Sequence, residues 1–262
     1  MKFVPFFLIF SIFITGCKNK SRNGIKRITP AVSDSTKPSA RKGIDIKPIS
    51  HASMQLTFNG QTIYIDPVGK SIDFAKMKSA NIILLTHGHP DHFNLETLQE
   101  ISSDSTQIIS PESVANLLPE NLREKTKILK NNDFLEIEGI NIHAVPMYNL
   151  REEAQSFHPK GDGNGYVLDN SQKRIYIAGD TGPIPEMRNL KSIDIAFIPM
   201  NLPYTMSVAD AADAVLDFKP KKVYPYHYRG KNGFSDVGLF KNMINTNDSE
   251  IEVIQLDWYP KE

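Results

Sequence analysis

The sequence predicts an α/β domain over residues 44–262, built of two β-sheets flanked by helices. Three observations point there. Short β-like runs alternate with turns and helical stretches along the whole segment. Apolar residues make up 40% and aromatic residues 9% of the 262, which suits a packed core and not a disordered chain. No internal repeat and no second linker follows residue 43, so one domain accommodates the pattern.

Taken in order, strands are expected at Met54–Phe58, Thr62–Asp66, Ile82–Thr86, Ile140–Val145, Gly165–Leu168, Arg174–Ala178, Ile193–Ile198, Lys222–Pro225 and Ile251–Leu256. The first two form a hairpin, because Asn59-Gly60 supplies a turn that tolerates positive φ. Helices are expected at Leu95–Ile101, Glu112–Leu118, Val208–Phe218 and Val237–Asn245. Ser207 is placed as an N-cap with Asp210 three residues on, and Pro220 stops that helix.

Ahead of this domain the composition changes twice. Met1-Lys2 is a short positive start, and Phe3 to Ile14 is an almost wholly apolar run. A bilayer span takes about 20 residues, whereas a signal-peptide core takes roughly 7–15, so the run fits the second. Ile14-Thr15-Gly16-Cys17 follows and resembles the lipobox of bacterial lipoproteins, in which the signal is cleaved before a cysteine that carries the acyl chains. That resemblance implies a signal peptide at 1–16, lipidation of Cys17, and a tether through residue 43. Lys18 to Lys42 is rich in Lys, Arg, Ser, Asn, Thr and Pro, a composition that buries too little surface to offset its ordering entropy. The expected location is the bacterial cell envelope, exported and held to a membrane through Cys17.

Charge and cysteine content exclude several functions. Lys+Arg and Asp+Glu are both 30, so the chain carries no strong electrostatic footprint for nucleic acid, and no nucleic-acid partner is expected. Cys17 is the only cysteine, which rules out an intrachain disulfide and a thiolate zinc site. Any metal must be held by His, Asp or Glu.

The densest chemical signal is Thr86-His87-Gly88-His89-Pro90-Asp91-His92, directly after the buried-looking run Asn81–Leu85. His87 and His89 are two apart and can point the same way from extended backbone. Gly88 and Pro90 turn the chain, so that Asp91 and His92 swing toward a neighbouring position. Three imidazoles and a carboxylate within six residues are costly to pack without partners, and a cation satisfies them together.

The string His-x-His-x-Asp-His after a strand resembles the signature of the metallo-β-lactamase superfamily. Asp66-Pro67 is similar to that family's first motif, whose aspartate supports the metal loop. Ala178-Gly179-Asp180-Thr181 resembles the segment whose aspartate bridges two metals, and Tyr226-His227-Tyr228 resembles the last histidine ligand. The resemblance implies an αββα sandwich with its site on one edge. Pro48-Ile49-Ser50-His51-Ala52-Ser53 further resembles the branch that holds ascorbate-6-phosphate lactonase and N-acylphosphatidylethanolamine phospholipase D. In that branch the histidine lies near the metals, which makes His51 a candidate catalytic residue beside Asp91; a capped surface histidine is the alternative.

The third motif departs from the pattern. Phospholipase-like members have Pro-x-x-His after the strand, and here Pro146-Met147-Tyr148-Asn149 puts an asparagine at that place. His158, in Ser156-Phe157-His158-Pro159-Lys160-Gly161, is the next candidate, with Asn149 as a supporting donor. His143, inside an alternating strand, reads as a packed or surface histidine. The implied ligands are then His87, His89 and His158 for one ion and Asp91, His92 and His227 for the other, with Asp180 between them. Zinc is the expected ion, in two copies, and manganese or iron would accept the same N/O set. Two such cations about 3.5–4 Å apart would activate a water for attack on carbonyl or phosphorus.

Residues beyond the ligands have two readings each. Lys160 with Gly161, Gly163 and Gly165 is either a mobile basic loop for a phosphate or carboxylate, or a solvated loop. Tyr148, Tyr204, Tyr226 and Tyr228 either line the pocket or pack the core. Arg229 either faces an anionic substrate or the solvent. The expected substrate is a small-molecule or lipid-derived phosphodiester, lactone, ester or amide. Two alternatives stay open: a mononuclear-iron redox enzyme of the same fold, and a binding lipoprotein without activity.

Overall fold

The computed structural model describes Met1, residues 43–69, Phe74 and residues 77–260. The expected signal peptide at 1–16, apart from Met1, the expected lipidation site Cys17 and the expected tether to residue 42 lie outside the described residues. Among the described residues no helix is long and apolar enough to cross a membrane.

Two sheets carry the architecture. The first has six strands in chain order: β1 (Asp45–Ser50), β2 (Ser53–Phe58), β3 (Gln61–Ile65), β4 (Ile82–Leu84), β5 (Gln107–Ser110) and β6 (Thr126–Ile128). The second runs β7 (Phe134–Ile137), β8 (Ile140–Met147), β9 (Gly163–Asp169), β10 (Arg174–Ile177), β11 (Ile195–Pro199), β12 (Lys222–Tyr226) and, on the far edge, β15 (Glu252–Val253). A two-stranded ribbon, β13 (Arg229–Gly230) with β14 (Gly233–Phe234), follows β12.

The sandwich comes from burying one face of each sheet against the other. Met54, Leu56, Ile63, Ile65, Ile82 and Leu84 of the first sheet meet Ile140, Ile142, Tyr166, Leu168, Ile175 and Phe197 of the second. Each such side chain contributes roughly 1.5–3 kcal/mol by leaving water. The outer face of the second sheet is covered by helices α5 (Val208–Phe218) and α6 (Val237–Asn247), through Ala211, Val215, Phe240 and Ile244. The outer face of the first packs against α1 (Leu95–Ile101), with α2 (Glu112–Ala115) and α3 (Glu120–Arg123) beside it. The short α4 (Pro185–Arg188) completes the helices of the second layer. This is the αββα order that the family resemblance implied.

Local sequence explains the element ends. Asn59 and Gly60 adopt φ of 50° and 81°, as the hairpin between β2 and β3 requires. Ser207 and Asp210 form the reciprocal capping box of α5, and Lys219 ends it in the left-handed region just before Pro220. Expectation and structure differ where strands are short. β1, β5 and β6 mix apolar with polar residues and β7 is only four residues long, so none stood out, and they become strands because a neighbour supplies hydrogen bonds. Conversely, the run Ile251–Leu256 pairs only at Glu252–Val253. The supposed basic loop is also corrected: Gly163 and Gly165 lie within β9, not in a mobile segment.

One edge of the sandwich gathers the ends that matter. β3 and β4 run parallel, as do β10, β11 and β12, so their carboxyl ends open on a common side. Ligands in α/β proteins bind at such carboxyl edges. Asp66 and Thr86 follow β3 and β4, while Asp180, Asn201 and His227 follow β10, β11 and β12.

Candidate metal centre

The loop after β4 is held from below by one carboxylate. Asp66 is fully buried; its Oδ1 accepts from the Thr86 backbone N–H, and its Oδ2 accepts from Thr86 Oγ1 and His92 Nδ1, each at 2.7 Å. The His92 proton is thereby fixed on Nδ1, which leaves Nε2 facing the site. Thr86 passes the same constraint on. Its hydroxyl donates to Asp66 and so accepts from His87 Nδ1 at 3.0 Å, freeing His87 Nε2, which stands 3.0 Å from His89 Nδ1.

Asp180 reaches the cluster because Gly179 stands before it at φ 65°. A Cβ at Gly179 would lie 2.6 Å from Met147 Sδ and 3.2 Å from Thr86 Cβ, so only glycine lets the chain pass there. The Gly179 N–H donates to the buried Tyr226 hydroxyl at 3.0 Å, which gives that tyrosine a supporting place in the core and not on the pocket wall. Three non-glycine residues at this edge, His51 (φ 57°), Asp66 (φ 42°) and His227 (φ 47°), also sit in the left-handed region. Such positions cost about 1–3 kcal/mol each and concentrate at functional sites.

The candidate ligands converge. The donor atoms of His87, His89 and His158 lie within 4.8 Å of one another, as do those of His87, His92 and Asp180, and those of His51, Asp91 and His227. Asp180 faces both sides: Oδ1 is 3.4 Å from His92 Nε2 and 3.2 Å from His227 Nε2, and Oδ2 is 3.4 Å from His158 Nε2. Asp91 Oδ2 lies 3.4 Å from His227 Nε2 and 3.2 Å from His51 Nε2. His143 is elsewhere, exposed on β8 with its ring 5.8 Å from Phe134.

Asn149 and His158 occupy successive layers. Asn149 Nδ2 donates to the carbonyls of Ala154 (2.9 Å) and Tyr204 (2.7 Å), and its backbone N–H donates to the His158 carbonyl at 3.0 Å. These bonds clamp the loop that returns His158 to the edge. His158 Nδ1 lies 3.1 Å from the Tyr204 carbonyl, so its proton sits there and Nε2 is left toward Asp180. Lys160, a little further on, pairs with Glu186 at 2.9 Å and lies over the Tyr148 ring, which removes it as a free anion receptor.

Asn201 and Tyr259 carried no sequence signal. Asn201 is buried with Nδ2 3.1 Å from His227 Nδ1, and the Tyr259 hydroxyl lies 2.9 Å from His51 Nδ1. Neither belongs to a motif; a polar residue just past a parallel strand was the one clue to Asn201.

The chemistry of this donor set fits a metal. The buried atoms His92 Nε2, His158 Nε2 and Asp180 Oδ1 have no hydrogen-bond partner, a cost that a shared cation removes. Donor spans below 4.8 Å suit a cation about 2.0–2.2 Å from each donor with little movement. The charges already organise themselves around it. Burial would lower the His92 pKa, but the Asp180 and Asp66 carboxylates reverse this and hold it well above the ordinary range. Burial would raise the Asp180 carboxyl, and the His227 and His92 imidazoles instead hold it well below. Burial lowers His87 and His158, the first strongly.

A sandwich of this topology with a His/Asp cluster at its carboxyl edge defines an enzyme of the metal-dependent hydrolase class. Residues 45–227 match the β-lactamase superfamily domain. A UPF0173 metal-dependent hydrolase of Thermococcus onnurineus is 31% identical over 193 residues, 71% of this chain and 84% of the relative. Its counterpart in Pyrococcus horikoshii is 31% identical over 226 residues, 81% of this chain and 96% of the relative. The crystal structure of a proposed metal-dependent hydrolase from Parabacteroides distasonis is 40% identical, with a TM-score of 0.75, covering 82% of this chain and 94% of that one. The chain belongs to the metallo-β-lactamase superfamily and, within it, to the UPF0173 metal-dependent hydrolase family.

Proposed function

We propose that this protein is a dinuclear, zinc-type hydrolase of a phosphodiester, lactone or related ester or amide. The observation that carries the reading is the Asp180 carboxylate, whose two oxygens face His92 and His227 on one side and His158 on the other. A single carboxylate directed at two nitrogen sets is what a pair of cations a few ångströms apart requires. His87, His89 and His158 would hold one ion, and Asp91, His92 and His227 the other, with Asp180 shared. When bound, such ions supply Lewis acidity and lower the pKa of water.

The rest of the work falls to this chain's side chains. Asp66, through Thr86 and His92, keeps imidazole nitrogens aimed at the site. Asp91 is the least buried of the carboxylates, lines the pocket, and touches His51 and His227. It is placed to carry a proton to a leaving atom, with His51 Nε2 orienting it. Phe157 and Tyr204, ring to ring at 5.2 Å, form part of the pocket wall.

The resemblance of His51-Ala52-Ser53 to the lactonase and phospholipase branch supports the choice of substrate class. The lipobox-like Ile14–Cys17 supports a lipid-anchored protein of the cell envelope, acting on small-molecule or lipid-derived substrates. The test is metal analysis of the purified protein, followed by turnover of bis(p-nitrophenyl) phosphate, a lactone series and nitrocefin with and without chelator. Two ions per chain and chelator-sensitive hydrolysis of the first two are expected. One ion per chain, or hydrolysis indifferent to chelation, refutes the reading. For the anchor, Cys17→Ser should move the protein from the membrane to the soluble fraction, and unchanged fractionation refutes it.

A further inference from the structure

The cavity over the donor cluster, about 450 Å³, is charged unevenly. Both carboxylates that line it, Asp91 and Asp180, belong to the cluster, and cations would neutralise them. Two further cations, Arg229 and Lys231, line it beyond His227. Among the described residues neither has a carboxylate within 4.0 Å; the lysine and arginine ion pairs all involve other residues.

These two cations are mounted on fixed backbone. The β13–β14 ribbon pairs Arg229 with Phe234, and the Lys231 N–H donates to the Leu202 carbonyl at 3.1 Å. A Cβ at Gly230 would run into that same carbonyl, so the ribbon is pressed against the loop after β11. Arg229 stands over the Tyr259 ring at 4.9 Å, and its N–H donates to the Tyr259 hydroxyl at 3.1 Å. Tyr259 is itself anchored by the fully buried Trp258, whose carbonyl accepts from the His51 N–H at 2.9 Å. A guanidinium stacked on an aromatic ring keeps its edge free for an oxyacid and loses little freedom on binding one. Phe157 and Tyr204 give the same cavity an apolar wall.

We propose that Arg229 and Lys231 form an anion subsite, so that the substrate is an acid: a carboxylate or phosphate joined through a short apolar stretch to the bond hydrolysed at the cluster. The proposal rests on the hydrolase reading above, in which the cluster takes the reacting end. Charge-assisted contacts to a guanidinium and an ammonium favour the doubly acidic ligand over its singly acidic analogue.

The experiment compares glutarate with butyrate on the metal-loaded full-length protein by calorimetry. One carboxylate of either acid can meet the cluster, and only glutarate offers a second group. Glutarate should bind at least tenfold more tightly, and the double variant Arg229→Gln/Lys231→Gln should bind the two acids alike with its metal content intact. 3-Phosphonopropionate in place of glutarate identifies the acid preferred: tighter binding marks a phosphate reader, weaker binding a carboxylate reader. Equal affinities for glutarate and butyrate in the unmodified protein, or a preference that survives the double substitution, overturns the proposal. Protein without bound metal or metal-dependent turnover sinks the hydrolase reading instead, whereas loaded and active protein blind to the second charge sinks only the subsite.

Discussion

Removing the Asp66 carboxylate tests how the site is held in place. Asp66→Ala deletes three hydrogen bonds of 2.7 Å at a fully buried position. It leaves the Thr86 N–H and His92 Nδ1 without their acceptor, at about 1–3 kcal/mol for each stranded group, so a loss of about 2–6 kcal/mol is expected. For a domain of this size roughly 2–4 °C accompanies each kcal/mol, which puts the fall in Tm at roughly 4–24 °C. Groups that orient a metal-bound histidine typically govern about 10–100-fold in metal affinity, so the variant should also bind its ions that much more weakly. Asp66→Asn separates the two effects. Its Oδ1 can still accept from Thr86, but its amide then meets His92 Nδ1 donor to donor and drives the imidazole proton toward Nε2. Thermal melts should therefore show partial recovery of Tm, while metal titration shows affinity as poor as in the alanine variant. An asparagine variant that binds metal like the unmodified protein, or an alanine variant within about 1 kcal/mol of it, refutes the reasoning.

Three further outcomes follow from the geometry. His158→Ala should abolish one ion per chain, whereas Asn149→Ala should weaken that ion without abolishing it; the opposite order, read by elemental analysis, would make Asn149 the ligand. Metal loading at pH 7 should release protons. In the metal-free protein burial opposes the charge on His92 and His227, yet the Asp180 carboxylate raises both imidazoles above their ordinary pKa, His92 strongly with Asp66 adding to it, so a proton that His92 holds has to leave when the metal enters. Burial lowers His87 and His158, which are already neutral and release none. Affinity then declines as pH falls through neutrality, and calorimetry in buffers of different ionisation enthalpy that detects no proton release contradicts the assignment. Gly179→Ala should cost about 2–4 kcal/mol in urea unfolding, the sum of a left-handed alanine and a crowded core, and should displace Asp180 enough to lower metal content. A variant with unchanged stability and metal content would show that the turn can relax.

Much of the site was legible because its pieces are local. The His87–His92 string carries its own spacing, the Asp66, Asp180 and His227 motifs each follow an apolar run, and short apolar runs mark most of the central strands, which are buried along nearly their whole length. Short-range patterns also dictated the Asn59-Gly60 hairpin and the Ser207–Asp210 box, since both depend on neighbours only a few bonds away. What needed tertiary structure was every relation between distant segments. Whether Asn149 or His158 faces Asp180 depends on how the loop after β8 folds back, and that is decided by the Tyr204 carbonyl, about fifty residues downstream. β5 is a strand only beside β4, and β6 only beside β5, because a few apolar residues favour extension weakly until a partner supplies hydrogen bonds. Asn201, Tyr259, Arg229 and Lys231 come to the site only when parallel strand ends, a short ribbon and the C-terminal segment meet at one edge. Residue types set which chemistry was possible; packing of the two sheets determined which of those side chains share a few ångströms of space.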